Sequence, residues 1–277
     1  MHHLLFIEWN PSPVAFHVPF IHLAIRWYGL LWGLSLMMCF YSTEYIFKQL
    51  KRDDEKVSVV IMYVFFGGLI GARLAHVIFY NLDYYLQYPG KIMAVWEGGL
   101  ASHGGLLGGI IGLYLFCRLN KEFNFLWLLD VGSICIPALA ALIRFGNLMN
   151  SELYGTVTNV PWAFIFPMVD NNPRHPVVVY ESIAYLFLQF YMIYIFRKYK
   201  DSKPGLYIAT LLVGLFTMRF FLEFFKQPDG AMLFNAISKT QALNIPFIIT
   251  GVVILWMCSK NKLKYRTQTQ ISKPETV

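Results

Sequence analysis

Apolar side chains dominate about seven windows of the chain, each close to twenty residues long: 23–47, 57–80, 99–117, 126–143, 177–196, 205–225 and 242–258. Wound as a helix, a window of that length matches a hydrocarbon core of roughly 30 Å. The pattern therefore predicts an all-α polytopic membrane protein with about seven transmembrane helices in one integral membrane domain, 1–277. The polar intervals refine this picture. Residues 1–25 combine Pro11, Pro13 and Pro19 with Trp9, Phe16 and Phe20, a composition for a non-helical segment resting on the outer surface. Residues 81–97 carry Tyr84, Tyr85, Tyr88 and Trp96 and are expected to lie along the membrane as an amphipathic arm. Residues 155–176 are rich in β-branched, aromatic and proline positions, which predicts short strands and turns. That segment is too short for a domain of its own and is read as a lid on the bundle. A polar, basic tail occupies 260–277.

Composition agrees: 57% of residues are hydrophobic and only 14% charged, against about 25% charged in soluble proteins. The distribution of the 23 Lys and Arg residues sets orientation. Most of them follow the first, third, fifth and last windows (Lys48, Lys51, Arg52 and Lys56; Arg118 and Lys121; Arg197, Lys198, Lys200 and Lys203; Lys260, Lys262, Lys264, Arg266 and Lys273). The positive-inside rule makes that side cytoplasmic, with the N-terminus outside and the C-terminus inside, as an odd number of spans requires. The basic balance thus follows from topology and contact with anionic lipid, and no nucleic acid partner is implied. The first window has no basic region before it and no small-residue cleavage site after it, so it does not read as a removable signal. Cys39, Cys117, Cys135 and Cys258 sit singly in apolar segments and read as packing residues.

Chemistry enters where polar groups interrupt the apolar windows. After 126–143 comes Arg144-Phe-Gly-Asn147-Leu-Met-Asn150-Ser-Glu152-Leu-Tyr-Gly155. Such groups are costly at membrane depth unless they face a partner, a cavity or a ligand. Arg144, Asn147, Asn150 and Glu152 are therefore candidates for the floor of a polar site; the other reading is a wet helix end with Arg144 snorkelling. Arg73 and His76 share a face of the second window and rank as supporting. Gly104, Gly108 and Gly112 form a small-xxx-small ladder for helix packing, which leaves His103 unexplained. Its titration range suits a general base or a phosphate ligand. Asp130 is expected to cap or orient a helix, and Glu181, in an apolar run, needs a cation or donor nearby. Arg219, Glu223 and Lys226 fall at i, i+4 and i+7 and are expected on one helical face. Arg144 and Arg219, from different spans, suit a shared anion, because guanidinium forks match phosphate oxygens.

Taken in order, Trp27-Tyr28-Gly29, Ser102-His103-Gly104-Gly105, Arg144-x-Gly146-Asn147-x-x-Asn150-x-Glu152-x-x-Gly155, His175-Pro176-x-x-x-Tyr180-Glu181, Arg219-x-x-x-Glu223-Phe224-Phe225 and Gln227-Pro228-Asp229 resemble the prolipoprotein diacylglyceryl transferase family. The resemblance implies an enzyme of the bacterial inner membrane with its active site towards the periplasm. It would move the sn-1,2-diacylglyceryl group from phosphatidylglycerol to the lipobox cysteine thiol of a prolipoprotein signal peptide, form a thioether and release glycerol phosphate. It carries essential roles onto Tyr28, His103, Arg144, Asn147, Glu152, Gly155, Arg219 and Glu223. Two positions depart from the family pattern: Val178 stands for its usual glutamine and Lys226 for its usual arginine, which keeps the charge without the bidentate fork.

On this reading Arg144 and Arg219 hold the phosphate, with Asn147, Asn150, Gly155 and His103 completing the phosphatidylglycerol site, while Glu152 and Glu223 orient the arginines. Tyr28 positions the headgroup or the peptide. His103 takes the thiol proton, or else binds lipid while the arginine field lowers the thiol pKa. No cofactor is implied, and activity is expected to survive chelators, because the histidines and carboxylates form no recognisable ligand set. The rival reading is a lipid or anionic-solute transporter with intramembrane arginines; it calls for inverted repeats, and none is evident.

Overall fold

The computed structural model describes residues 6–19, 23–227 and 237–265; Pro228, Asp229, and Arg266 and Lys273 of the basic tail lie outside the described residues. The elements run β1 (Ile7–Glu8), β2 (Val14–Val18), β3 (Leu23–Arg26), α1 (Trp27–Gln49), α2 (Lys56–Phe79), α3 (Leu82–Gln87), α4 (Ser102–Leu119), α5 (Phe125–Met149), β4 (Phe164–Ile165), β5 (Pro173–Arg174), α6 (Val177–Tyr199), α7 (Leu206–Leu222) and α8 (Lys239–Ser259). Among the described residues, six helices are long and apolar enough to cross a membrane: α1, α2, α5, α6, the α7 segment and α8. The chain is a multi-pass helical membrane protein. An expected count of seven rests on α4, whose 18 residues span about 27 Å at 1.5 Å per residue.

The chain divides into two compact units, Met1–Ser42 with Asp130–Lys264, and Thr43–Leu129 with Tyr265–Val277. In the second, α4 lies antiparallel along α2. A Cβ on Gly71 would run into the Gly104 carbonyl, one on Gly108 into the Gly67 carbonyl, and one on Gly112 into the Tyr63 carbonyl. The glycine ladder is thus a close helix–helix contact, in which each missing side chain lets the backbones approach. Between these helices the chain makes α3 and two 3₁₀ turns, Pro89–Met93 and Val95–Glu97, with Leu86, Met93 and Trp96 exposed.

In the first unit β1 pairs with β4 in parallel, β4 pairs with β5 antiparallel, and β2 and β3 form a separate antiparallel pair. Short strands in 155–176 agree with its composition. Leu148, Phe166 and Val178 form a buried cluster beneath them, with Trp9, Tyr154 and Phe164 packed around it. The Trp9 Nε1–H donates to the Leu148 carbonyl at 2.9 Å, which ties the N-terminal segment to the end of α5. Asp130 of α5 is 1% exposed and accepts from the Gly205 and Ile208 N–H groups at 2.6 and 2.8 Å. It caps not its own helix but the start of α7, where orphan N–H groups and the helix dipole favour a carboxylate.

Three boundaries differ from the apolar pattern. Residues 23–26 are strand, because β2 supplies a pairing partner that hydropathy does not reveal. Helix α5 runs past the apolar window to Met149, so Arg144 and Asn147 stand on helix rather than beyond it. Helix α7 stops at Leu222; a 3₁₀ turn carries Glu223, and Lys226 is extended and bridged to Gly155. Arg219, Glu223 and Lys226 therefore do not share one helical face.

Candidate active site at the end of helix α5

The last turns of α5 set the geometry. The Asn147 carbonyl accepts from the Glu152 N–H at 3.0 Å, while Ser151 (φ 53°) and Leu153 (φ 57°) adopt left-handed backbone. Each such residue without a glycine's freedom carries on the order of 1 kcal/mol of strain. The chain accepts this because the reversal folds Glu152 back onto Asn147 of the helix it has just left and Asn150 just beyond it.

The resulting network is directional. Arg144 Nε meets Glu181 Oε2 of α6 at 2.6 Å, and Arg144 Nη1 donates to Asn147 Oδ1 at 3.0 Å. Asn147 Nδ2 donates to Glu152 Oε2 at 3.0 Å, and Asn150 Nδ2 donates to Glu152 Oε1 at 3.1 Å. A guanidinium only donates and an ionised carboxylate only accepts, so both amides have their orientation forced from outside. Asn147 spends its oxygen on Arg144 and its nitrogen on Glu152. Asn150 turns its nitrogen to Glu152 and keeps Oδ1, which is buried without a hydrogen-bond partner among the described residues. Such an acceptor calls for a donor.

Beside Glu181 stands Tyr185, 1% exposed, with its hydroxyl 3.5 Å from Glu181 Oε1. Arg144 and Arg219 both lie close enough to Tyr185 to act on it electrostatically, which puts the two arginines in one neighbourhood. Their carboxylates are not the expected ones. Glu181 holds Arg144, whereas Glu152 reaches it only through Asn147, and Glu223 accepts from Ser238 Oγ at 3.2 Å. No ion pair joins Arg219 to Glu223 among the described residues.

Tyr28, in the first turn of α1, lies against Gly146: a Cβ there would stand 2.9 Å from the tyrosine Cδ2. The glycine of the Arg-x-Gly-Asn pattern thus makes room for that ring. Gly155 has a comparable role in backbone packing, since a Cβ would meet the His175 carbonyl at 2.5 Å and the Phe225 carbonyl at 2.6 Å. Three segments converge there through Gly155 N–H to the His175 carbonyl and Thr156 N–H to the Phe225 carbonyl, both 2.9 Å. Arg174, which the sequence did not single out as a site residue, locks this junction. It is bidentate to Asp170 and donates to the Gly155 carbonyl at 3.0 Å and to Gln227 Oε1 at 3.3 Å. The Arg174 guanidinium holds the Asp170 carboxyl well below the usual carboxylate range. His175 Nδ1 lies 3.2 Å from the Tyr180 hydroxyl, and burial lowers the imidazole below its ordinary value.

His103 belongs to the second unit, in the exposed first turn of α4. Among the described residues, no three His, Cys, Asp or Glu side chains gather as a metal-ligand set.

Residues 13–257 match the family model described as prolipoprotein diacylglyceryl transferase. The chain belongs to the prolipoprotein diacylglyceryl transferase family. Relatives include proteins named phosphatidylglycerol–prolipoprotein diacylglyceryl transferase from Bacteroides fragilis (40% identical over 276 residues; 94% of this chain, 98% of the relative) and Chloroherpeton thalassium (41% over 259; 92% and 95%). A third, from Tolumonas auensis, is 37% identical over 257 residues, covering 92% and 99%. Within the diacylglyceryl transferase pattern, the Val178 departure has a physical setting: at 1% exposed it packs with Leu148 and Phe166, where an amide would need partners of its own. Lys226 departs at a backbone junction rather than on a helical face.

Proposed function

We infer that this chain transfers the diacylglyceryl group of phosphatidylglycerol to the lipobox cysteine thiol of prolipoproteins, the first step of bacterial lipoprotein maturation. The observation that carries the site assignment is the Arg144–Asn147–Glu152–Asn150 chain anchored on Glu181. A thioether contains a carbon–sulfur bond, so the bond that breaks is carbon–oxygen, not phosphorus–oxygen. The thiolate attacks the glyceryl carbon, and the electron pair leaves on the phosphate oxygen as glycerol phosphate. Arg144 with Glu181 is neutral as a pair, so the net positive charge meeting that phosphate comes from Arg219, while Arg144 contributes aligned N–H groups. Asn150 Oδ1 accepts a hydroxyl of the glycerol headgroup; a phosphate oxygen, having no proton to give, does not satisfy it. Tyr28 packs against Gly146, between Arg144 and Asn147 in the chain, and Gly155 closes the backbone junction with His175 and Phe225.

His103 takes the proton from the thiol, whose reactive form is the thiolate and whose ordinary pKa is about 8.5. The protein sits in the inner membrane with its N-terminus periplasmic and the site towards that face. Helix α4 lies antiparallel along the membrane-length α2 and crosses as well, which gives an odd number of spans. The test is transfer of labelled diacylglycerol from phosphatidylglycerol to a lipobox peptide by wild type and by a well-expressed Arg144→Ala variant. Product from the first and none from the second is expected; product from neither in competent lipid overturns the reading.

A further inference from the structure

Arg73 of α2 is 5% exposed, and all five of its N–H groups end on main-chain carbonyls. Nε donates to Ile92 at 2.8 Å, Nη1 to Gly98 at 2.5 Å and Gly99 at 3.1 Å, and Nη2 to Lys91 at 2.6 Å and Ala94 at 3.1 Å. The guanidinium carbon also sits 5.1 Å from the centre of the Tyr85 ring. No carboxylate pairs with it among the described residues. A guanidinium saturated in this way has no donor left for a phosphate, so Arg73 is not a ligand for substrate. Its five acceptors lie in one segment, from Lys91 to Gly99, which leads directly into α4.

Within itself that segment has its two 3₁₀ turns and an exposed Lys91–Glu97 ion pair. Gly98 (φ 87°) and Gly99 (φ 74°) are left-handed, and Gly99 is enclosed: a Cβ would stand 2.6 Å from His76 Nε2 and 2.9 Å from Arg73 Nη1. The N-cap of α4 is Ala101, with no side-chain cap, and alanine is among the poorest residues there. Instead the Ala101 N–H donates to the carbonyl of Ala72, the neighbour of Arg73, at 3.0 Å. The first turn of α4 therefore takes its position from α2, through Arg73 and Ala72. His103 is the second residue of that turn.

We propose that Arg73 is the positioning residue for His103, fixing the start of α4 so that the imidazole meets the substrate thiol; this rests on His103 acting as the base. A lysine in its place offers three donors and no planar fork for five carbonyls. Expected for Arg73→Lys is a loss in kcat of about 10-fold or more, since displacement by about 1 Å costs up to 10²-fold, with KM for phosphatidylglycerol within about twofold. The deficit narrows towards pH 9, where the thiol ionises unaided. In a His103→Gln background, Arg73→Lys costs nothing further, because both changes remove one function. Gly99→Ala, which crowds the same segment while keeping Arg73, shows the same signature and serves if Arg73→Lys does not accumulate in the membrane. Wild-type kcat in a well-inserted variant, or a pH-independent loss that repeats in the His103→Gln background, overturns the proposal alone. Unchanged transfer and pH profile in His103→Gln itself overturns the base reading and the proposal together.

Discussion

Arg144 and Glu181, on successive membrane helices α5 and α6, meet with Nε 2.6 Å from Oε2, and their side chains are 17% and 9% exposed. Removing one partner of so enclosed a pair strands the other's charge, at a cost of about 3–5 kcal/mol when burial is complete. The pair leaves the Nη edge of Arg144 directed by a fixed carboxylate on one side and Asn147 on the other. Arg144→Ala is therefore expected to lower transfer by at least about 10²-fold, with Arg144→Lys little better because an ammonium cannot span both acceptors. Glu181→Gln keeps a hydrogen-bonding group of equal size and should retain the fold while losing about 10-fold in kcat/KM. Transfer kinetics beside thermal unfolding in detergent separate the two effects; wild-type kinetics in Glu181→Gln would contradict the assigned orientation.

The forced polarity of the network makes a prediction about headgroup choice. Asn150→Asp replaces the donor to Glu152 by a second carboxylate and should disrupt the chain. Asn150→Leu should raise KM for phosphatidylglycerol by about 10-fold, the worth of one hydrogen bond of about 1–1.5 kcal/mol. A competitive lipid whose headgroup lacks hydroxyls should inhibit wild type and Asn150→Leu equally. Its inhibition constants against the two enzymes check this.

Gly155→Ala introduces a Cβ against two main-chain carbonyls, at 2.5 and 2.6 Å. Backbone cannot swing aside as a side chain does, so a loss of about 1–3 kcal/mol is expected, read as a lower unfolding temperature. Unchanged thermal stability would mean that the junction of 154–157, 173–175 and 225–227 is looser than its hydrogen bonds indicate.

Asp130→Ala removes the carboxylate that caps α7 from α5. About 1–2 kcal/mol is expected from the lost cap, and more if the Gly205 and Ile208 N–H groups are left buried. Asn, with one acceptor oxygen, should recover part of it. Because Asp130 has no part in the proposed chemistry, KM for either substrate should not move.

Burial lowers the His175 imidazole, so the unfolded chain binds this proton more tightly than the folded one. The stability it contributes is complete above the unfolded value near 6.5 and is lost as pH falls through the lowered folded value. Asp170 works in the same direction further down: its carboxyl is held low by Arg174, and its contribution fades as pH drops below the ordinary carboxylate range. Unfolding temperature should fall between pH 7 and pH 5, and His175→Gln should flatten that fall. A parallel curve for the variant would assign the acid sensitivity elsewhere.

By itself the sequence determined the membrane helices, because a window of apolar side chains admits few structures in lipid other than a helix that satisfies its own backbone. It likewise marked Arg144, Asn147, Asn150, Glu152 and Arg219 as unusual, since charge and amide at such places demand a reason. Partner choice was a different matter. Arg144 had Glu152, Glu181 and Glu223 available in sequence, and only the packing of α6 against α5 brought Glu181 to its Nε. Strand pairing moved the start of α1 to Trp27, and the 3₁₀ turn after Leu222 took Lys226 off the α7 face. Hydropathy is local and survives in the one-dimensional record, whereas a hydrogen bond between distant residues depends on coordinates that only the folded chain supplies.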